Sequence, residues 1–385
     1  MSLACGLRRN REVIAAVIVL AFITTAWFIL VTLNTQPSIL PSYQKQCPSQ
    51  PSRQESTSIA SVNDYTTVAI NETFDNEQNF ITLESHEDTI KWIGNHYVAK
   101  YDQKLSVKSC KHPPLLVLAI NSAANHFNRR SGIRKTWGNP TEFNIRFESK
   151  NLWKVIFIVG RTGSKVIDER VDKEAKNHGD LLMINLKEHH KSLTDKTLLG
   201  MYWASQICRS QFYYKGDDDV WVNKWRLFDL IIKLNVRIES NIDLSSCWIG
   251  FVSSINHVPI RNKKSKYYVS YEDFNGERFP RFCSGFGYFM SRETASKVIT
   301  SVPYVKKIPG IDDVYIGLLA NNTGIQPIHN PRFHIRTYDV NKLIYNGKIL
   351  YETIAEHGVH NSQLMIKFQQ MARRRHIAFM KDDKR

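Results

Sequence analysis

Three consecutive carboxylates are the residues of this chain best suited to chemistry. Asp217, Asp218 and Asp219 directly follow the strand-like segment YYKG and precede the apolar segment VWV. Such a cluster is costly unless something positive neutralises it. Because side chains alternate along a strand, Asp217 and Asp219 share one face and can together hold a divalent cation that also grips a diphosphate. The alternative is a solvated acidic turn, and the apolar flanks argue against it.

A second acidic pair stands where a loop enters an apolar helix. Asp312 and Asp313 follow the residues PGI and precede VYIG. Taken alone, the pair is equally typical of a helix start, with one carboxylate at the N-cap and its neighbour favoured by the helix dipole. The segment FPRFCSGFGY at residues 279–288 sets small residues among aromatic ones, as either a sugar-facing wall or a tight buried turn requires.

Short apolar runs alternate with helical patterns through the middle of the chain. The runs LLVLAI at 115–120, VIFIVG from Val155, LLMINL from Leu181 and FYYKG from Phe212 predict buried strands. Helices are predicted over 129–137, 165–178 and 193–209. This alternation predicts an α/β fold with a mostly parallel, Rossmann-like central sheet and flanking helices. Ligands of such sheets bind beyond the carboxyl ends of the strands, where the three carboxylates lie.

The N-terminal part of the chain predicts a membrane anchor. Residues 13–33 are uncharged and apolar, long enough for a helix to cross a ~30 Å hydrocarbon core. Arg8, Arg9 and Arg11 precede the run, so the positive-inside rule places residues 1–12 in the cytosol and everything after the span in the lumen. A cleaved signal peptide is the competing interpretation, but no clear cleavage site closes the run. Polar residues 34–108 are predicted to form a stem, and residues 109–385 the lumenal domain.

Two further features agree with a lumenal domain. Asn71 and Asn321 stand in N-glycosylation triplets. Four of the six cysteines fall at or after residue 109, enough for two disulfides, and the sequence does not choose among the three connectivities. These four cysteines are Cys110, Cys208, Cys247 and Cys283.

The chain is basic, with a formal net charge of +16. Its lysines and arginines are spread along the sequence, and only residues 373–375 form a tight cluster. The sequence has no zinc-finger spacing, no basic region leading into heptads and no RNP-like motif, so nucleic acid is not an expected partner. A basic surface suits an anionic nucleotide donor.

Taken in order, these motifs resemble the family of β-1,3-galactosyltransferases and β-1,3-N-acetylglucosaminyltransferases, with Fringe-like enzymes as more distant members. The similarity runs from about residue 113 to residue 371. Phe282 stands where the family usually has Tyr, and Trp221 where Phe is common. The segments that carry the resemblance are RSGIRKTW at 130–137, HGD at 178–180, LTDKT at 193–197, the DDD triplet, KYYVS at 266–270, PRFCSG at 280–285 and DDVY at 312–315.

The resemblance implies a nucleotide-diphospho-sugar transferase fold of the GT-A type, a UDP-sugar donor, Mn²⁺ as the metal, and inversion at the anomeric carbon. Asp219 would be the principal metal ligand, and Asp217 and Asp218 would help to hold the metal and the ribose. Arg130 and Arg134 would line the nucleotide side.

The same resemblance assigns the remaining roles. Asp313 matches the proposed general base, and Asp312 is the less favoured alternative. A C-terminal histidine would complete the metal site, with His357 preferred to His360, although neither spacing fits the family pattern cleanly. Phe282 and Gly285 would lie on the acceptor side.

We therefore expect a single-pass type II protein of the Golgi membrane that transfers galactose from UDP-galactose in β-1,3 linkage to a glycan of a glycoprotein or glycolipid. UDP-N-acetylglucosamine is the alternative donor, because the IDDVY form looks at least as much like that branch of the family. A catalytically silent glycan-binding module is the rival from another class, and Asp217, Asp219 and Asp313 argue against it. A homodimer is left open.

Overall fold

The computed structural model describes residues 89–92, 97–100, 106–139, 141, 152–235, 242–253, 257–335 and 346–382. All of them belong to the unit that spans residues 82–385. The predicted cytosolic tail, the apolar run at 13–33, Asn71 and most of the stem lie outside the described residues. Within the described part of the chain, no helix is both long enough and apolar enough to span a membrane.

The described residues form twelve strands and eight α-helices. The strands are β1 (Thr89–Trp92), β2 (Tyr97–Lys100), β3 (Leu116–Asn121), β4 (Trp153–Arg161), β5 (Leu181–Lys187), β6 (Phe212–Asp217), β7 (Val220–Val222), β8 (Trp248–Val252), β9 (Cys283–Ser291), β10 (Ile328–His329), β11 (Phe333–His334) and β12 (Ala355–His357). The helices are α1 (Phe127–Lys135), α2 (Lys165–His178), α3 (Leu193–Tyr202), α4 (Lys224–Asn235), α5 (Arg292–Thr300), α6 (Asp312–Asn322), α7 (Gly347–Glu352) and α8 (Ser362–Asp382).

A seven-stranded mixed sheet in the order β10-β8-β9-β6-β3-β4-β5 organises the fold. Its half β6-β3-β4-β5 is parallel, as predicted, and β9 runs antiparallel to both β6 and β8. Asn121 is level with Asp217 in the β3–β6 register. The carboxyl ends of these two central strands therefore meet at one edge of the sheet. The strand β9, which pairs with β6, also reaches this edge.

Both faces of the central sheet are covered. Along β3, Leu116, Leu118 and Ile120 enter one apolar cluster, and the alternate residues Val117 and Ala119 enter the other. Every residue of this strand is buried. A strand buried on both faces is apolar throughout rather than alternating, which is why the run LLVLAI predicts it. Truncating Leu118 to Ala would cost about 2–5 kcal/mol of stability.

The predicted helices agree with the observed ones in position. Residues 165–178 form α2, while residues 129–137 and 127–135 describe the same helix with shifted ends. The helix predicted at 193–209 differs from the structure at its C-terminal end. The α-helix α3 ends at Tyr202, and a π-helical turn follows over Trp203–Ile207. The chain then leaves the helix at Arg209, whose φ of 55° lies in the left-handed region.

Two small sheets complete the architecture. The hairpin β1–β2 precedes Ser106 and Val107, which both bond to β5. Ser106 Oγ accepts a hydrogen bond from Met183 N–H at 3.0 Å, and Val107 N–H donates to Leu181 O at 2.7 Å. Packed structure thus begins ahead of residue 109. In the other sheet, of order β11-β12-β7, the strand β12 runs antiparallel to β7 and sets His357 opposite Val220. This pairing carries the C-terminal histidines to the acidic triplet.

One disulfide joins Cys110 to Cys208. It ties the segment before β3 to the residue that follows the π-helical turn. Cys247 and Cys283 are free and buried. In the β8–β9 ladder Trp248 faces Met290 and Val252 faces Cys283, so the two thiols lie at opposite ends of the ladder. That separation is why the second disulfide that the cysteine count permits does not form.

Candidate active site

The acidic triplet occupies the turn between β6 and β7. Asp217 ends β6, and Asp218 and Asp219 form the turn. The three side chains go to three different sets of partners. Two of those sets are clusters of charged groups, which we call the Asp218 cluster and the Lys215 cluster.

The Asp218 cluster joins the triplet to the end of β3 and the start of α1. Asp218 is buried and accepts hydrogen bonds from Ser122 Oγ at 2.7 Å and from an Arg129 guanidinium nitrogen at 2.8 Å, while His126 Nδ1 lies 2.8 Å away. Burial alone would raise the pKa of Asp218, but these partners outweigh it and hold the pKa below its ordinary value. Arg129 Nη1 also lies 3.8 Å from Asp219 Oδ2.

The Lys215 cluster joins the triplet to β9 and α6. The ammonium of Lys215 is buried and lies 2.8 Å from Asp217 Oδ1 and 3.1 Å from Asp312 Oδ2, and it also donates to the backbone oxygen of Gly285. Burial alone would lower the pKa of Lys215, but the two carboxylates outweigh it and raise the pKa. Burial, together with the charge of Asp312, raises the pKa of Asp217 to about 6 despite the nearby ammonium.

Asp312 and Asp313 begin α6 but have different surroundings. Asp312 is buried and accepts a hydrogen bond from Thr197 Oγ1 at 2.6 Å in addition to its contact with Lys215. Asp313 accepts from the backbone N–H groups of Gly285, at 3.0 Å, and of Val314, at 2.9 Å. Burial, with the charge of Asp312, raises the pKa of Asp313 to about 6. Asp312 is held by side chains, whereas Asp313 is oriented by backbone amides.

Gly285 stands where a side chain has no room. A Cβ there would lie 3.3 Å from both Asp312 Oδ1 and Asp313 Cβ, and 3.4 Å from Lys215 Nζ. These distances are tighter than nearly all real Cβ contacts. The glycine in this segment therefore lets the backbone of β9 approach the two carboxylates of α6.

Asp219 meets both C-terminal histidines. Its carboxylate oxygens lie 3.7 Å from His357 Nε2 and 3.3 Å from His360 Nδ1, and its backbone oxygen accepts from Val359 N–H at 2.7 Å. Asp219 Oδ1 is buried and has no hydrogen-bond partner among the described residues. Carboxylate and imidazole ligands suit Mn²⁺, and an unsatisfied buried oxygen fits a cation. As they stand, the described residues include no group of three or more His, Cys, Asp or Glu arranged to bind a metal.

The two predicted arginines of the RSGIRKTW segment are engaged by protein acceptors. Arg130 is fully buried, and its guanidinium donates to Glu174, to Ser122 Oγ and to the backbone oxygens of residues 123 and 124. Arg134 donates to Glu174 and to Asp180 at 2.7–2.8 Å. Because carboxylates and carbonyls already take these donors, the two side chains brace α1 against α2. Their role on the nucleotide side stays a prediction.

A model of the galactosyltransferase family matches residues 128–331, more than half of this chain. The chain belongs to the galactosyltransferase family. It is a glycosyltransferase that transfers a hexose from a nucleotide-sugar donor to a glycan. The match includes the acidic triplet and the start of α6, so both charged clusters fall largely inside the family region.

Named relatives of this galactosyltransferase family member come from both activities that the motifs resemble. The β-1,3-galactosyltransferase 5 of Gorilla gorilla gorilla is 33% identical over 228 residues, which are 58% of this chain and 71% of that protein. The lactosylceramide 1,3-N-acetyl-β-D-glucosaminyltransferase of Mus musculus is 31% identical over 248 residues, 63% of each. The crystal structure of the galactosyltransferase LgtC covers 67% of this chain at 11% identity, with a TM-score of only 0.30.

The structure also places two further predicted residues of this glycosyltransferase, Phe282 and Asn321. The Phe282 ring packs on His257, with 4.4 Å between ring centres, and its Cβ is close to Gly317 of α6. Asn321 is exposed on the last turn of α6, where a glycan can be attached without disturbing the core.

The sequence analysis did not identify the cationic and hydroxyl side chains that hold the individual carboxylates of the site. Lys215 stands two residues before Asp217, and Arg129 stands next to the motif arginine Arg130, so both were visible as neighbours of the chosen residues. Ser122 follows directly on β3, at the strand end where such folds place ligand contacts. What the sequence does not show is which of two adjacent arginines faces the site.

Proposed function

We propose that this family member is an inverting, metal-dependent β-1,3-hexosyltransferase with a GT-A type fold, and that its donor is UDP-galactose. The observation that carries the proposal is the separation of the carboxylates at one edge of the sheet. Asp219 keeps an unpartnered buried oxygen beside two histidines, while Asp313 is oriented by two backbone amides on the opposite, α6 side. The Asp219 carboxylate is suited to bind a cation, and the Asp313 carboxylate is suited to accept a proton.

The donor would bind at the end of β3. Asp219, with His357 and His360 and with help from Asp217, would hold Mn²⁺, which when bound offsets the charge of the departing UDP. Asp218 is already engaged by Arg129 and its neighbours, so its role is to fix the guanidinium of that arginine beside the diphosphate. Arg129 is about one-quarter exposed. We therefore assign to Arg129 the nucleotide-side role that the family resemblance implies for Arg130.

Asp313 would act as the general base. It accepts the proton of the acceptor hydroxyl as the hydroxyl oxygen attacks the anomeric carbon and UDP leaves from the opposite face, which inverts the configuration. A pKa of about 6 keeps the carboxylate ionised at neutral pH and still basic enough to take a proton. Asp312 is less suited, because Lys215 and Thr197 occupy its carboxylate.

The identity of the sugar is the least constrained part of the proposal. Galactose is favoured by the β-1,3-galactosyltransferase relatives, and N-acetylglucosamine is the second candidate because a 1,3-N-acetylglucosaminyltransferase is 31% identical to this chain. A silent glycan-binding module is disfavoured, since such a module gains nothing from the costly placement of two carboxylates, Asp217 and Asp312, against one buried ammonium.

We further propose that the protein is a type II Golgi membrane protein. The support is the apolar run at 13–33, with residues 1–12 cytosolic, 34–108 a stem and 109–385 the catalytic domain. The Cys110–Cys208 disulfide and the exposed acceptor Asn321 agree with a lumenal, oxidising compartment.

The test is UDP release by the full-length chain in detergent, with the product mass read in parallel. UDP-galactose and UDP-N-acetylglucosamine are offered with Mn²⁺ or with chelator, and with β-galactoside or β-N-acetylglucosaminide acceptors. The proposal predicts release that needs both metal and acceptor, and an acceptor heavier by one hexose. Folded protein that binds these glycans but transfers neither sugar would support the silent module instead.

A further inference from the structure

Within the described part of the chain, the loop between β8 and β9 exposes a group of large apolar side chains. Four of the nine large hydrophobic side chains that are exposed in the described chain lie close together in sequence, in the loop that links β8 to β9. A cluster of this kind marks a binding surface more often than scattered single residues do. The four residues are Val258, Ile260, Tyr267 and Tyr271.

The described part of this loop, residues 257–282, is held in shape without helix or strand. The Arg261 guanidinium donates to the backbone oxygens of Val269, Phe274 and Gly276 at 2.8–3.2 Å. Val269 N–H donates to Ile260 O at 3.0 Å, which joins the two ends of the exposed stretch. A loop fixed in this way presents its side chains at little entropic cost on binding.

Two tyrosines of the loop each have a cation beside one ring face. Lys266 Nζ lies 4.7 Å from the centre of the Tyr267 ring, and the Arg261 guanidinium lies 4.0 Å from that of Tyr271. The rings are 44% and 70% exposed, so their remaining surface is open to solvent. We call Tyr267, Tyr271 and Lys266 the tyrosine platform.

The platform borders the α6 side of the site rather than the end of β3. The Tyr267 ring packs edge-on against His190, with 6.0 Å between ring centres. His190 Nδ1 would lie 2.8 Å from a Cβ at Gly310, a glycine with φ of 82°. Gly310 is three residues before Asp313, a span of at most ~11 Å. These contacts place Tyr267 of the platform on the same side of the site as Asp313.

From this geometry we infer that the tyrosine platform binds the acceptor glycan at the sugar that follows, on its reducing side, the sugar that is modified. A pyranose has an apolar face whose partly positive C–H groups suit the negative face of an aromatic ring, and hydroxyls that suit an ammonium donor. The platform offers both kinds of contact together. This inference rests on the proposed function, and it makes an oligosaccharide the preferred acceptor over a single sugar.

The experiment compares matched acceptors that differ by one sugar. KM is measured on the full-length chain for methyl β-galactoside against lactose and for methyl β-N-acetylglucosaminide against chitobiose, with whichever donor the enzyme uses. Wild type is expected to show a lower KM for the disaccharide of the pair it accepts. Tyr267→Ala should raise the KM for that disaccharide about five- to tenfold and remove its advantage, whereas Tyr267→Phe, which keeps the ring, should retain it.

Phe379→Ala is the matched control, because Phe379 is 46% exposed on α8 and should leave both KM values unchanged. A normal disaccharide advantage in Tyr267→Ala, or a wild type that does not distinguish the two acceptors, would overturn the inference and leave the transferase proposal intact. Failure of the wild type to transfer to any of the four acceptors would instead count against the proposed function, and the inference would fall with it.

Discussion

Asp217 and Asp218 are neighbours in the chain, yet the Lys215 cluster and the Asp218 cluster change their acidity in opposite directions. In the Lys215 cluster, burial raises the pKa of Asp217 to about 6, although an ammonium lies 2.8 Å away. In the Asp218 cluster, burial is outweighed by three partners and the pKa is lowered. The difference lies in the number of donors available to each carboxylate. Asp218 has three partners, whereas Asp217 and Asp312 share one Lys215.

This difference suggests a division of labour. A carboxylate with a lowered pKa stays charged and can orient a cationic side chain toward an anionic donor. Asp313 borders the Lys215 cluster through Gly285, and burial likewise raises its pKa to about 6. A carboxylate of this kind gives up and takes up protons near neutrality, as a general base must, and we give that role to Asp313 rather than to Asp217. The four predictions below test this division, from the largest expected effect to the smallest.

The base is the most sensitive point. Asp313→Asn keeps the size of the side chain and removes its ability to accept a proton, so transfer to an acceptor should fall by about 10³-fold, measured as UDP release at saturating donor. Asp172→Asn, at a partly exposed surface ion pair, is the matched control and should be near wild type. Retention of more than a tenth of the activity by Asp313→Asn would remove it from the role of base.

The second-largest effect is expected at the buried ammonium of Lys215. Lys215→Met leaves Asp217, Asp312 and the Gly285 oxygen without their common donor, so the free energy of unfolding should drop by about 3–5 kcal/mol in urea denaturation. Adding Asp312→Asn removes one of the uncompensated charges and should recover part of the loss. Lys306→Met, at an exposed pair with Glu272, should change stability by no more than about 0.5 kcal/mol. A Lys215→Met protein as stable as wild type would contradict the conclusion that Lys215 stabilises the carboxylates of its cluster.

The pH dependence is the third effect. Asp313 must be ionised to accept a proton and its pKa is raised to about 6, so transfer should fall about tenfold per pH unit below that value and level off above it. UDP binding measured over the same range separates this effect from donor loss. The residual activity of Asp313→Asn should lack this acid limb. A wild-type rate that is flat from about pH 5 to pH 7 would contradict the assignment.

The smallest effect belongs to the Asp218 cluster. Arg129→Ala should raise the KM for the donor about tenfold with a smaller change in kcat, because the guanidinium would contact the nucleotide and not the acceptor. Arg292→Ala, on the surface beside Glu293, is the matched control. If Arg129→Ala changes only the KM for the acceptor, the two clusters have been assigned to the wrong substrates.

The sheet was predictable from the sequence where its strands are buried on both faces. The runs that became β3, β4, β5 and β6 are apolar throughout, so their type and order follow from the pattern. For the antiparallel strand β9, the sequence pattern indicates only small residues set among aromatic ones. Its segment CSGFGYFMS serves both as a strand and as the wall that lets α6 approach, and local pattern does not separate the two uses.

Within the site, residue type was more predictable than direction. The triplet and the Asp312–Asp313 pair were identified from their placement at a strand end and a helix start. The sequence did not show that Arg130 points inward to Glu174 while Arg129 points outward to Asp218, since the two are adjacent on α1 and differ only by a rotation of about 100°. That choice depends on the packing of α1 against α2.

The most direct test of the division between the clusters separates donor binding from proton transfer. UDP is titrated calorimetrically into the full-length wild type and into the Asp219→Ala and Asp313→Asn variants, with Mn²⁺ and with chelator. The account predicts that Asp219→Ala loses metal-dependent UDP binding, whereas Asp313→Asn binds UDP with Mn²⁺ as wild type does while failing to transfer. Normal binding by Asp219→Ala, or loss of binding by Asp313→Asn, would contradict it.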